Sequence, residues 1–347
     1  MSGSRRSRAS RRAATTDWAS YTDGQLLDLR LCDLGLKLEQ TPAQALVEEL
    51  WSEFAARGFR FRPYVWISTE WFTPDDTTGF AIPFYVVHPR LVRLERRQML
   101  EVEGGTREDC LKLMRHEAAH ALDNAYRIRR SRRFREVFGS PSEPYDSSYA
   151  PDPNSRDHVL HLDYWYSQSH PLEDWAETFA VWLRPGSGWR RRYAGWPALR
   201  KLEYVDELCD GLAVRAPKIR TRRREEPLSS VKLTLREYYE RKRAAYTDDT
   251  TPVFAGRLER VFPRDGEGPP AAAFLRGAQR DLVRRVAAAT GQHTYLVDHV
   301  LREMVARARD RKLRLAGDPA DALVEAAVLL TSLSSHYSYG SHPRYQR

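Results

Sequence analysis

The sequence predicts an α+β fold: a small mixed sheet, then a long helix, then a mostly helical C-terminal region. Three observations predict it. β-Branched and aromatic residues cluster between Phe59 and Val87, as strands require. Apolar residues at Leu111, Met114, Ala118, Ala121 or Leu122, and Ala125 follow helical spacing. Helical patterns recur at 234–246, 271–290, 293–312 and 319–333, beyond any strand signal. A chain of 347 residues, 41% of them hydrophobic, is long enough to bury one large core or two ordinary ones.

Taken in order, residues 1–20 are rich in Ser, Arg and Ala and predict a disordered basic arm. Thr41 as N-cap and Pro42 at the first helical position open a helix through Leu46, Leu50 and Phe54 that stops near Gly58. Phe59, Phe61, Val65 and Ile67 read as strand. After the turn from Pro74 to Gly79, so does the run from Phe80 to Val87. Thr106, followed three residues later by Asp109, caps the next helix and puts negative charge in its first turn. From Gly139 to Pro153 the composition of Pro, Ser, Asp and Tyr predicts a loop. His170-Pro171 starts another helix, and Arg184-Pro185-Gly186 stops it. A further helix is expected near 200–213. The domain reading is an arm over 1–20, a first domain over 25–215, a basic linker over 216–227, and a mostly helical region over 228–340.

The formal charge of +9 comes from local clusters: Arg5 to Arg12, Arg127 to Arg135, and Lys218 to Arg224. Such clusters could meet nucleic acid or an acidic partner. Solvated surface is the preferred reading, because no nucleic-acid fold motif accompanies them. No stretch approaches 18 consecutive apolar residues, which excludes a membrane span. No apolar segment follows Met-Ser-Gly-Ser-Arg-Arg, and the three cysteines, Cys32, Cys110 and Cys209, are widely spaced. Both point to a cytoplasmic, reducing location, and the oligomeric state stays open.

The chemistry is concentrated in His116-Glu117-Ala118-Ala119-His120. Residues four apart on a helix share a face, so His116 and His120 can aim at one ion, the arrangement of a zinc hydrolase helix. Glu117 is then placed to take a proton from the attacking water. Ala118 and Ala119 leave room for a second element. A catalytic Zn2+ needs a third protein ligand. Glu173 and Glu177 are again four apart, on the later helix, so one can bind metal while the other accepts the remaining N–H of a ligating histidine. Glu173 is the expected ligand and Glu177 its support, with the exchanged roles as an alternative. His158, His161 and His170 are alternative ligands, and Asp123 is better placed to hold another residue than to reach the ion. Acids at 173 and 174 would also suit the helix dipole, but Glu177 lies too far in for that.

His116 to His120, followed by Glu173-Asp-Trp-Ala-Glu177-Thr-Phe-Ala, is similar to the gluzincin pattern. The stretch from Ser169 to Ala180, with Ser147-Ser-Tyr-Ala150 before it, resembles more closely a bacterial zinc-binding metallo-peptidase family. The resemblance covers about residues 25–215. It departs at Ala119, where that family commonly has Gly, and in a longer interval from Asp146 to Ser169. It implies a zincin-like catalytic domain, a zinc ion and peptide-bond hydrolysis, and it implies no particular substrate. By resemblance to lethal-factor-like sites, Tyr166 would be the tyrosine that steadies the oxyanion, with Tyr164 or Tyr149 as substitutes. The strand from Phe80 to Val87 would be the edge that pairs with an extended peptide, and Ile82, Phe84 and the aromatics near Trp66 and Trp71 would shape the cleft, although for most of these aromatics core filling is the preferred reading. The expected function is therefore that of a zinc-dependent metalloendopeptidase acting on a peptide or protein substrate. The alternative is a catalytically silent zinc-fold binding protein that meets nucleic acid through its arginines, against which the intact Glu117 argues. A third reading makes the C-terminal region a docking element.

Overall fold

In a computed structural model describing residues 18–39, 41–145, 149, 151–246 and 254–338, the first long element is helix α1 (Pro42–Ala56). The Thr41 side chain accepts from the Gln44 N–H at 3.2 Å, as a helix start requires. Val47, Leu50 and Phe54, on one face, are fully buried. The expected arm lies mostly outside the described residues, as does the Arg5 to Arg12 cluster. Trp18–Ser20 is a short helical turn whose Trp18 is buried and donates Nε1–H to the Leu34 carbonyl at 2.9 Å. An indole supplies enough apolar surface to order that end of the chain.

Strands β1 (Tyr64–Ser68) and β2 (Gly79–Pro83) pair in parallel, with Trp66 opposite Ala81. Gly79 is required there, because a Cβ would lie 2.2 Å from the Tyr64 carbonyl oxygen. Several expectations need correction. Phe59 and Phe61 are buried but precede the strand. The run from Phe80 to Val87 leaves the sheet after Pro83 and continues as a helical turn over Phe84–Val86. That strand is also no open edge: the Ala81 N–H donates to Phe72 O at 2.8 Å on the side away from β1. Ile82 and Phe84 are fully buried and Trp66 nearly so, in keeping with the preferred reading of such side chains as core. The sheet is therefore two parallel strands, smaller than the mixed sheet expected.

Helix α2 (Pro89–Met99) follows, then α3 (Arg107–Tyr126), which carries the His-Glu-Ala-Ala-His segment and is capped by Thr106 as expected. Helix α4 (Arg132–Phe138) turns part of the basic run inward through Phe134 and Phe138. Helix α5 (Pro171–Leu183) lies against α3. Ala118 and Ala119 are fully buried at that contact, and Trp175 donates its indole N–H to the Ala119 carbonyl at 3.1 Å. Trp175, Phe179 and Trp182 continue the aromatic core toward α6 (Ala198–Ala213).

Residues 216–227, expected as a linker, form a strap on the first core. The Lys218 and Ile219 N–H groups donate to the Ala125 carbonyl at 2.8 and 3.0 Å. Trp66 Nε1 donates to Glu225 O at 2.9 Å, Ser68 Oγ to Glu226 O at 2.6 Å, and the Tyr64 hydroxyl to Arg223 O. These three donors stand at alternate positions of β1, so one face of the strand holds the strap. Helix α7 (Leu235–Ala245) adds Leu235, Tyr238 and Tyr239 to the same core. A second apolar core is built from α8 (Phe254–Val261), α9 (Ala271–Thr290), α10 (Thr294–Asp310) and α11 (Pro319–Ser338), around Leu275, Val300, Leu301, Met304 and Leu330. Glu101 joins the two, accepting from the Thr294 N–H at 2.9 Å and lying 3.1 Å from His293 Nε2. No helix among the described residues is long and apolar enough to cross a membrane.

Candidate metal centre

Helix α3 presents His116 and His120 on the face turned toward α5, and α5 presents Glu173 and Glu177 in return. All four are buried. His116 Nε2 lies 3.0 Å from Glu173 Oε2, His120 Nε2 lies 3.3 Å from the same oxygen, and the two Nε2 atoms are 3.2 Å apart. These edges fit a cation. Ligands at 2.0–2.1 Å from a tetrahedral zinc stand about 3.3 Å from one another. Two imidazoles and a carboxylate form the zinc donor set of a catalytic site, with one position left for water or substrate. Among the described residues, these three form the one group of such side chains able to hold a metal.

The supporting contacts assign the two glutamates different places. Glu177 Oε1 accepts from His116 Nδ1 at 2.8 Å, which turns Nε2 toward the centre. Its other oxygen accepts from the Leu162 N–H at 2.7 Å. Burial alone would keep His116 neutral, but hydrogen bonds and charge from Glu173 and Glu177 prevail and raise its pKa to about 10 in the metal-free protein. Burial also works against ionised Glu173, yet the charge of His120 and the hydrogen bonds from both histidines hold its pKa well below the ordinary carboxylate range.

Glu117, the residue between the histidines, is buried, and its Oε2 accepts from the Thr73 hydroxyl at 2.8 Å. Thr73 also reaches the Glu117 carbonyl at 3.0 Å, so a residue of the β1–β2 connection fixes both ends of that glutamate. The Tyr166 ring sits 5.7 Å from the His116 ring, buried against the centre. Tyr149 lies in the field of Glu177 and Glu173, which with burial raises its pKa. The Tyr164 side chain, and Asp146, Ser147, Ser148 and Ala150 of the matching motif, fall outside what is described.

The alternative histidine ligands are engaged elsewhere. His170 caps α5, accepting from the Leu172 N–H at Nδ1 and donating from Nε2 to Glu143 O at 2.9 Å. His161 Nε2 donates to Lys112 O at 3.1 Å, and burial lowers its pKa to about 4. His158 stands 3.8 Å from Asp174, away from the triad. Asp123 holds Arg129, accepting its backbone N–H at 2.7 Å and its side-chain Nε–H, as its position on α3 suggested.

Two residues at the centre escape the sequence reading. Tyr145 donates its hydroxyl to Glu173 Oε1 at 2.8 Å and stacks on His170 with centroids 3.8 Å apart, although its side chain is half exposed. Thr73 is the other. Both lie in irregular chain where no periodicity marks a position. The one usable signal for Tyr145 was an aromatic residue within a loop otherwise rich in Pro, Ser and Asp.

The model of one protein family, described as "Putative zinc-binding metallo-peptidase", matches residues 93–185, the span from α2 to the end of α5 that holds all four centre residues. Neither the curated proteins nor the solved structures contain a match to the chain.

Proposed function

We propose that this chain is a zinc-dependent metalloendopeptidase with a zincin-like catalytic domain. The observation that carries the reading is the buried triangle of His116 Nε2, His120 Nε2 and Glu173 Oε2, with Glu177 on the far nitrogen of His116 and Glu117 between the two histidines. Zinc held there would supply Lewis-acid polarisation of the scissile carbonyl and bring the pKa of an attacking water toward about 7. Glu117 would take the proton of that water and return it to the leaving amine. Glu177 would keep His116 in the tautomer that offers Nε2, and the Leu162 N–H would keep Glu177 in place. Tyr166, beside His116, is our candidate for the donor that steadies the developing oxyanion. Tyr145, on the free oxygen of Glu173, would orient that carboxylate. The three free cysteines suit a reducing, cytoplasmic setting.

The test combines zinc stoichiometry with casein cleavage by wild type and Glu117→Gln. One zinc per chain in both proteins, with cleavage by wild type alone, is the expected result. Zinc in both with cleavage in neither would return the silent binding protein, and absence of zinc would end the proposal.

A further inference from the structure

Away from the metal centre, Arg60, Arg62, Arg215, Arg220 and Arg222 line one cavity of about 520 Å³. They come from three places: the extended residues before β1, the end of α6, and the strap. Phe61, Tyr126 and Thr78, all buried, form its floor, and no Asp or Glu lines it. All five arginines are solvent-exposed, and together they make a patch of one sign around a single hollow that favours an anionic ligand.

Several other exposed arginines meet carboxylates, as Arg107 meets Glu49, Arg133 meets Glu207, Arg190 meets Asp206 and Arg236 meets Asp28. Among the described residues none of the five cavity arginines is in an ion pair; Arg62 only overlies the Trp51 ring at 5.8 Å. Nor does the strap need them to stay in place. It is anchored by neutral bonds, from the Lys218 and Ile219 N–H groups to Ala125 O and from Thr78 Oγ1 to Thr221 O at 2.8 Å. Among the described residues, five arginines outside any ion pair thus line one concavity.

We propose that this cavity binds a compact polyphosphate anion. Guanidinium forks match phosphoryl oxygens, and a cluster around one hollow suits a short, highly charged ligand better than a long strand, which would call for a stripe. The site is independent of the peptidase reading.

The probe is inorganic tripolyphosphate, titrated calorimetrically into the full chain at low and at moderate salt. Binding that weakens with salt is expected, and Arg220→Gln/Arg222→Gln should weaken it by about tenfold or more. Arg60→Gln/Arg62→Gln, which alters the opposite wall, should do the same and keeps the test open if the strap variant fails to fold. Arg93→Gln/Arg96→Gln removes the same charge from α2 and should leave affinity unchanged. No binding by wild type would overturn the proposal, as would equal losses in all three variants. A single-stranded oligonucleotide that displaces tripolyphosphate at equal phosphate concentration would overturn it too, and would make the cavity a nucleic-acid surface.

Discussion

If zinc is taken up as proposed, His116 should couple that uptake to pH. Its pKa of about 10 in the metal-free protein means that the imidazole holds a proton at neutral pH, between Glu173 and Glu177. Zinc needs that nitrogen bare, so uptake must expel the proton, and affinity should climb with pH until about 10. Calorimetry in two buffers of different ionisation enthalpy should register proton release on zinc binding near neutrality; no buffer dependence would contradict it. The sign for folding is opposite. A pKa raised above the ordinary 6.5 stabilises the metal-free fold fully below that pH, and the gain is lost as pH rises through about 10. Thr73 gives a second prediction at this scale. Thr73→Val removes a hydroxyl from Glu117 Oε2, and if Glu117 is the base, kcat should fall about tenfold while KM and zinc content hold. Thr73→Ser should retain the rate. A fall in zinc content alongside kcat would instead mark Thr73 as structural.

Among the elements, α3 and α5 were the most legible, since their boundaries rest on local chemistry. Thr106, His170 with Pro171, and Pro185 each act within a turn of themselves, and the paired residues at 116/120 and 173/177 need only helical geometry to share a face. The sheet was less legible, because strand pairing is not a local property. The β1–β2 connection, residues 69–78, is short enough to suggest a hairpin, yet the strands run parallel and the second leaves the sheet at Pro83. Helix α2 escaped notice because its arginines dilute the apolar stripe of Leu91 and Leu94, although His88-Pro89 repeats the start signal of α5. The orientation of α3 rests partly on a buried ion pair. Arg115, next to His116, donates to both oxygens of Glu53 on α1, at 2.8 and 2.6 Å. Glu53→Ala would leave that guanidinium buried without its counter-charge and should cost about 3–5 kcal/mol in denaturant unfolding. Glu53→Met with Arg115→Met should recover most of the loss, and a double variant as unstable as the single would show that packing, not charge, is at stake.

For the whole molecule, the boundary expected at 215 cuts through one core. The strap, Leu235, Tyr238 and Tyr239 belong to the unit that contains the metal centre, and the second core begins near Leu258. A fragment ending at 215 should aggregate or unfold, because Phe84 would lose the rings of Tyr238 and Tyr239 and Tyr85 would lose Lys242, whereas one ending at 246 should fold. Equal solubility and equal thermal midpoints for the two fragments would refute this. The reason sequence placed the boundary early is physical: a run of arginines reads as solvent-facing, while the bonds that hold 216–227 come from its backbone, which composition does not report.

The connection 69–78 is gripped at both ends. Tyr238 on α7 holds the Glu70 carboxylate at 2.7 Å, and Asn124 on α3 holds the Pro74 and Thr77 carbonyls at 2.8 and 2.9 Å. Thr73 hangs between these abutments with its hydroxyl on Glu117. Like a bridge deck on two piers, that span owes its place to both helices, so the seat of Thr73, and with it the hold on Glu117, is set jointly by α7 and α3.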